Sequence, residues 1–271
     1  MGACRTAVVL RSCVNPPPLS ACVCVRWLAA GSLGLSSVAA TLGAFSLGTV
    51  LAWTSPTGTR LAQSSTNPDP SLMTVAEWSW VGSLMNVGAT LSVVLVGAVI
   101  DRLGRKYTML ALVLPFIAGW FMIAWAGQTV TLYYVGRIVT GMMGGAFSVS
   151  APVYISEIAQ KEIRGMLGTC YQLMITSGIL FVYLVGGIEG VSVFALTLTC
   201  SFVPLLFGAI FVFMPETPRQ YLQKGRVEDA RKSLRWFRGE HYNIDAELQV
   251  SHLLYKLPYP SSHNFPSFST P

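Results

Sequence analysis

The stretch GAVIDRLGRK, residues 97–106, places four charged residues between two long apolar runs. The flanking residues 78–100 and 107–136 contain no charged residue. Gly104 suits a backbone conformation that residues with a Cβ atom resist. We interpret the stretch as a tight turn between two helices that have just left a membrane, where simple anchoring by charge would also fit.

Four further charge-free runs lie at 27–53, 138–156, 165–188 and 190–215. Each of the six runs has about the length that crosses a bilayer as a helix, roughly 20 residues. None alternates polar and apolar residues as barrel strands do. The sequence therefore predicts an all-α membrane protein with six transmembrane helices, at about 30–53, 78–100, 107–127, 131–153, 166–187 and 191–214.

The composition excludes several classes of protein. Of the 271 residues 52% are hydrophobic and 11% are charged, whereas soluble domains carry about 25% charged residues. No phosphate-binding loop or metal-ligand cluster is visible, and the three histidines, His241, His252 and His263, all follow the last apolar run. We therefore expect neither an enzyme nor a cofactor or metal.

The positions of lysine and arginine predict the orientation, because cytoplasmic loops are enriched in them. Segment 101–106 has three, segment 157–164 has two and segment 219–238 has seven, whereas the loop 54–77 has only Arg60. Both termini are therefore expected in the cytoplasm, with the chain in the cell membrane. Because the basic residues flank the spans, they do not indicate nucleic-acid binding.

The order of residues in 97–106 resembles the G-x-x-x-D-R-x-G-R-K/R signature of the major facilitator superfamily. Further motifs follow it in the chain: GRIVTGMMGG (136–145), PVYISEIAQKEIRG (152–165), YQLMITSG (171–178) and PETPRQYLQKGR (215–226). This set is similar to the sugar porter family, and LGTVLAWTSP (47–56) is similar to its facilitated trehalose transporter subgroup. The resemblance covers roughly residues 30–245.

The family has twelve spans in two six-helix halves. The resemblance implies that residues 27–248 form the N-terminal half of such a fold, with cytoplasmic amphipathic helices after the sixth span. Residues 1–26 are expected to be a cytoplasmic N-terminus, with a cleaved signal peptide as the less favoured alternative. Residues 249–271, rich in proline and serine, are expected to be a disordered tail.

The resemblance also implies roles for individual residues. Gln172 is expected to contact sugar, and Thr176 lies one turn further on the same face; an interhelical hydrogen bond is the alternative for Gln172. A cytoplasmic charge network that locks the carrier on one side is assigned to Asp101, Arg102, Arg105, Glu157, Arg164, Glu216 and Arg219.

Three residues within the fourth span stand apart from its apolar background. Arg137 is an intramembrane charge and should face the bundle interior and find a partner there. It is expected to be a structural pair, a water-facing residue or part of a gate. Gly141 and Gly145, four apart, should let two helices approach closely.

The segment after the sixth span predicts two short helices. Thr217 is expected to be the N-cap of the first, Pro218 its first residue and Gln220 the far half of a capping box. The second is predicted from about Val227 to Arg238, as a basic amphipathic helix at the cytoplasmic membrane surface. Its apolar face is formed by Val227, Ala230, Leu234 and Phe237.

The predicted function is facilitated diffusion of a hexose or of a disaccharide such as trehalose by alternating access, as a truncated or partial carrier. One alternative is a half-carrier that does not transport but regulates a full-length relative. Another is a proton-coupled symporter, although the first half of span one has no acid. The expected partners are a small sugar, the lipid bilayer, and a second half or full-length relative.

Overall fold

The computed structural model describes residues 32–62, 73–160 and 163–238. The expected N-terminal segment 1–26 and the expected tail 249–271 lie outside these ranges. The helices within them are α1 (Ser32–Ala52), α2 (Thr54–Leu61), α3 (Val75–Leu103), α4 (Arg105–Ala124), α5 (Val130–Ile158), α6 (Arg164–Gly186), α7 (Val193–Phe211), α8 (Pro218–Gln223) and α9 (Val227–Arg238).

The prediction of an all-α membrane fold with six spans is confirmed. Within the described ranges, six helical stretches are long and apolar enough to cross a membrane, the first of them being α1 and α2 together. The spans run up and down, so the turn at Gly104, the end of α5 at Ile158 and helices α8 and α9 lie at one end of the bundle. We call this end the basic end and the opposite end the far end.

Three spans are longer than the sequence predicts, since the first stretch (Leu33–Leu61), α3 and α5 have 29 residues each. Helix α3 begins at a capping box, in which the Thr74 hydroxyl accepts from the Glu77 amide and the Glu77 carboxylate accepts from the Thr74 amide at 2.8 Å. The sequence prediction ends the helix where charge appears. Charged residues continue a helix readily once it has left the hydrocarbon.

Helices α3 and α5 cross at glycines with little space between their backbones. A Cβ atom on Gly141 would collide with the carbonyl oxygen of Met85, and one on Gly145 would lie 2.7 Å from the Cα of Ala89. Gly88 faces the carbonyl of Ile138 in the same way. Small residues at such crossings allow the extensive backbone contact that holds helices together in lipid.

A second crossing of this kind joins α1 to α6. A Cβ atom on Gly48 would collide with the carbonyl oxygen of Ile175 and lie 3.0 Å from the Cα of Gly178. Gly178 in turn faces the carbonyl of Phe45. The two crossings fix α3 on α5 and α6 on α1, and they leave the outer faces of α3 and α6 exposed.

The crossing at Gly141 predicts opposite effects for two glycine substitutions. A methyl group added at Gly82 on α3 would meet no atom within 4 Å, so Gly82→Ala should stabilise the helix by about 1 kcal/mol through helix propensity. Gly141→Ala should instead lower the thermal unfolding temperature in detergent, because the methyl group would push α5 away from Met85. An equal rise for both variants would contradict the close crossing.

Candidate functional site

A buried ion pair joins α4 to α5 at the basic end. Gly104, with φ of +106°, separates α3 from α4, which makes Arg105 the first residue of α4. The Arg105 Nη2 atom lies 2.9 Å from Oε1 of Glu157, and Nε donates to the same oxygen at 3.1 Å. Both side chains are almost fully buried, at 4% and 6% exposure. The Asp101 carboxylate, on the exposed side, lies 3.2 Å from the same guanidinium.

Helix α8 completes the surroundings of Arg105. The Nη1 atom donates to Oε1 of Gln220 and, at 3.2 Å, to Oε1 of Gln223. The Gln220 amide nitrogen donates to the carbonyl of Asp101 at 3.4 Å. The guanidinium therefore connects the end of α3, the end of α5 and the face of α8.

The expected capping box at the start of α8 was wrong. Thr217 is the N-cap residue and Pro218 the first helical residue, but Thr217 makes no side-chain capping bond. Its hydroxyl instead donates to Oε2 of Glu157 at 2.7 Å, while Gln220 binds Arg105. Hydrogen bonds to charged groups are roughly twice as strong as neutral ones, so the two side chains bind the ion pair rather than the helix end.

The Glu216 carboxylate lies at the N-terminus of α4. Both of its oxygens accept from the backbone amide of Lys106 at 3.1 Å, and Oε1 accepts from the Thr217 amide at 2.9 Å. A Cβ atom on Gly104 would lie 2.5 Å from Oε2 of Glu216. A helix N-terminus favours an anion, and the absence of a side chain at position 104 lets this one approach.

Not all of the seven residues assigned to the charge network meet. Asp101, Arg105, Glu157 and Glu216 lie together, and Arg219 approaches Glu157 only at 3.8 Å with 67% of its side chain exposed. Arg102 and Arg164 are exposed, and neither forms an ion pair with the part of the chain that the structure describes. We refer to Arg105, Glu157, Glu216, Thr217 and Gln220 as the basic-end cluster.

Sequence reasoning missed the roles of Gln220, Gln223 and Thr217 in this cluster. Gln220 and Gln223 are three residues apart, so both lie on one face of α8. That spacing indicates that the two amides can bind the same partner. The partner itself could not be identified from the sequence, because Arg105 is more than a hundred residues away.

Helix α9 packs against the basic end and forms hydrogen bonds to the cluster and to the end of α5. The Ser233 hydroxyl donates to the backbone carbonyl of Glu216 at 2.6 Å, and Arg238 donates to the carbonyl of Ile158 at 2.7 Å. Phe237 joins the hydrophobic core, and Leu234 is buried as well. The observed range of α9 matches the expected one, but its apolar face packs on the protein, because α8 and the bundle end cover it, and not on the membrane.

Arg137 is completely buried in α5 near the far end. Its Nε atom donates to the carbonyl of Val81 and its Nη1 atom to the carbonyl of Val50, both at 3.2 Å. The guanidinium also lies 5.3 Å from the ring centre of Trp53. Val50 belongs to the last turn of α1, where carbonyls lack a helical partner and favour a cation. No carboxylate in the described ranges pairs with Arg137.

The two residues assigned to sugar lie apart from the cluster. Gln172 and Thr176 are exposed on the outer face of α6, and the Thr176 hydroxyl donates to the carbonyl of Gln172 at 3.2 Å. The exposed face of α3 carries Asn86 and Thr90, whose hydroxyl binds the carbonyl of Asn86 at 2.9 Å. Asn86 was not singled out from the sequence, where Gln172 was assigned to sugar through the family resemblance.

The buried ion pair predicts a large loss of stability on truncation. Arg105→Ala should lower the free energy of unfolding by about 3–5 kcal/mol, because Glu157 would be left buried without its cation. The matched control is Arg226→Ala, which breaks the Arg226–Asp229 pair with 60% and 33% exposure and should cost about 0–1 kcal/mol. Unfolding in detergent with increasing dodecyl sulfate measures both, and equal losses would contradict a buried, connected pair.

Comparisons with known proteins agree on one family. The family model described as "Sugar (and other) transporter" matches residues 34–255. The chain is 36% identical over 214 residues to a facilitated trehalose transporter, Tret1, of Apis mellifera ligustica, covering 79% of this chain and 42% of that relative. It is 40% identical over 206 residues to the solute carrier family 2 facilitated glucose transporter member 8 of Bos taurus, covering 76% and 42%.

Solved structures agree on the fold. The partially occluded inward open conformation of the xylose transporter XylE from E. coli matches with a TM-score of 0.73 at 22% identity, covering 83% of this chain and 59% of that one. XylE bound to 6-bromo-6-deoxy-D-glucose, described as a proton:xylose symporter of the major facilitator superfamily, matches with a TM-score of 0.72 at 22% identity, covering 82% and 52%. The chain spans about 42% of the length of the two curated relatives above.

Proposed function

The chain belongs to the sugar transporter family, and from this premise we propose that it forms the first six-helix half of a facilitated sugar carrier that works by alternating access. The substrate class is a hexose or a disaccharide such as trehalose, the named cargo of several relatives. The observation that carries the proposal is the combination of the family match over residues 34–255 with a polar, exposed face on α6.

The exposed face of α6 supports the assignment of Gln172 and Thr176 to sugar. The amide of Gln172 offers two donors and an acceptor, which suits the hydroxyl groups of a sugar. An amide facing lipid would be costly because nothing there satisfies its hydrogen bonds. A pathway or a second six-helix half on this side of α6 would supply the partners that the amide needs.

The basic-end cluster supports a role as the lock of one end state. It consists of the Arg105–Glu157 ion pair and of hydrogen bonds from α4 and α5 to α8 and to the two residues before it. It therefore holds these elements in one arrangement. Alternating access needs two arrangements whose free energies differ by a few kcal/mol. A connected and mostly buried cluster can contribute a free energy of this magnitude, whereas a single exposed ion pair contributes only about 0–1 kcal/mol.

The basic end is assigned to the cytoplasm and the protein to the cell membrane. Segments 101–106 and 219–238 together carry ten of the 18 lysine and arginine residues, whereas the loop 54–77 carries only Arg60. Cytoplasmic loops have this bias. Both termini would then be cytoplasmic, with Arg60 on the extracellular side.

The surroundings of Arg137 favour uniport over proton coupling. A carboxylate beside the buried arginine would offer a group that takes up and releases a proton. The guanidinium instead binds two backbone carbonyls and faces Trp53, and neither changes its protonation during a transport cycle. We therefore propose facilitated diffusion, with a proton-coupled symporter as the second candidate.

Uptake of radiolabelled trehalose and glucose into oocytes that express the protein tests this function. Saturable uptake above uninjected oocytes is expected, and it should be the same after the proton gradient has been collapsed. Uptake that falls with the gradient would favour the symporter. Lack of uptake, together with altered uptake by a co-expressed full-length relative, would favour a regulatory half-carrier.

Gln172→Ala should raise the KM for sugar uptake with little change in the maximal rate. The lost amide removes hydrogen bonds to the bound sugar, each worth about 0.5–1.5 kcal/mol, so an increase of about 2- to 10-fold is expected. Leu173→Ala is the matched control, since Leu173 is 63% exposed on the same helix but has no polar group. A KM unchanged by Gln172→Ala would rule out this residue as a ligand.

A further inference from the structure

Arg60 lies at the far end of the bundle, in the last turn of α2. Its Nη2 atom donates to the backbone carbonyl of Gly186 at 3.1 Å, and its Nη1 atom donates to the carbonyl of Val191. The side chain is half-buried. A basic residue on this side of the membrane is unusual under the orientation bias of loops, so its position needs another explanation.

The two carbonyls belong to opposite ends of the connection between α6 and α7. Gly186 is the last residue of α6, where carbonyls have no partner within the helix. Val191 precedes Ser192, whose side chain caps α7 by accepting from the Ala195 amide at 3.1 Å. A single guanidinium therefore holds both ends of this connection. The planar fork of arginine suits two acceptors at once, and a cation is favoured at a helix C-terminus.

Packing reinforces the same contact between α2 and α6. Gly186 is buried, and a Cβ atom there would lie 2.6 Å from the Cβ of Pro56. Helix α2 is itself continuous with α1, since the two form one helical stretch, Leu33–Leu61. The far end of α6 is thus attached to α2 by close packing and by two hydrogen bonds from a charged donor.

We propose that Arg60 is a positioning residue that fixes the far end of α6 to α2, so that α1, α2 and α6 move as one body. This role rests on the proposed function insofar as α6 carries Thr176 and Gln172. Thr176 lies ten residues before Gly186, about 15 Å along the helix axis. Arg60 therefore acts on the position of α6 and does not touch the sugar.

Hydrogen exchange followed by mass spectrometry tests the contact in the full chain in detergent. In Arg60→Gln, amides in the peptide 183–196 should exchange about tenfold faster, equivalent to about 1.4 kcal/mol and within the range for hydrogen bonds from a charged donor. Arg60→Lys keeps the charge but not the fork, and should give an intermediate rate. The matched control Arg226→Gln should leave this peptide unchanged, and exchange in 164–175 should stay constant in all variants.

Sugar uptake separates positioning from a purely local effect. Arg60→Gln should lower the maximal uptake rate and leave the KM within about twofold, because the sugar contacts are remote. The proposal is overturned if Arg60→Gln leaves exchange in 183–196 unchanged. It is also overturned if exchange becomes faster throughout the chain in both Arg60→Gln and Arg60→Lys. Faster local exchange with unchanged uptake kinetics overturns the positioning role. Lack of uptake by the unsubstituted protein contradicts the proposed function instead, and exchange alone then decides whether Arg60 holds α6.

Discussion

The arrangement of the basic end depends on the buried ion pair between Arg105 and Glu157. A buried charge is costly unless it is paired and hydrogen-bonded, so each remaining donor and acceptor of this pair must find a partner. Gln220, Gln223 and Thr217 supply partners from the α8 region. These hydrogen bonds hold the segment after the sixth span against the basic end of the bundle. Helix α9 is held there as well, because the Ser233 hydroxyl donates to the Glu216 carbonyl.

The opposite constraint acts within the spans, where water is absent and close helix contact replaces the hydrophobic effect. Glycines at two crossings bring α3 to α5 and α1 to α6. Arg137 meets the same constraint with backbone carbonyls and an aromatic face in place of a carboxylate. The core therefore holds a cation that is hydrogen-bonded to one carbonyl of α3 and to one at the end of α1, and this arrangement supports the proposed uniport mechanism.

The six spans could be predicted because a bilayer imposes one length and one composition on every helix that crosses it. The ends of α3 and α5 could not, since charged residues continue a helix outside the hydrocarbon. Thr74 caps the start of α3, whereas α5 begins after Thr129 without a side-chain cap. The acidic and basic members of the cluster were accessible through family resemblance. Their hydrogen-bonding partners were not accessible in this way. The local sequence predicts a capping box at Thr217 and Gln220, but these side chains bind Glu157 and Arg105, which are distant in sequence. Arg60 stands out in the sequence as the only basic residue of the loop 54–77. Its acceptors could not be predicted, because they are backbone carbonyls, which every residue has.

The central claim is that the basic-end cluster holds one of two alternating arrangements. Its most direct test is the labelling of reporter cysteines by a membrane-impermeant thiol reagent applied to either side. Ser156→Cys at the basic end and Ser55→Cys at the far end are each introduced alone, after the six native cysteines have been replaced by serine. With Arg105→Ala we predict faster labelling of the basic-end reporter and slower labelling of the far-end reporter, since the carrier would shift toward its inward-open arrangement. Identical labelling of both reporters with and without Arg105 would contradict the claim that the cluster is a lock.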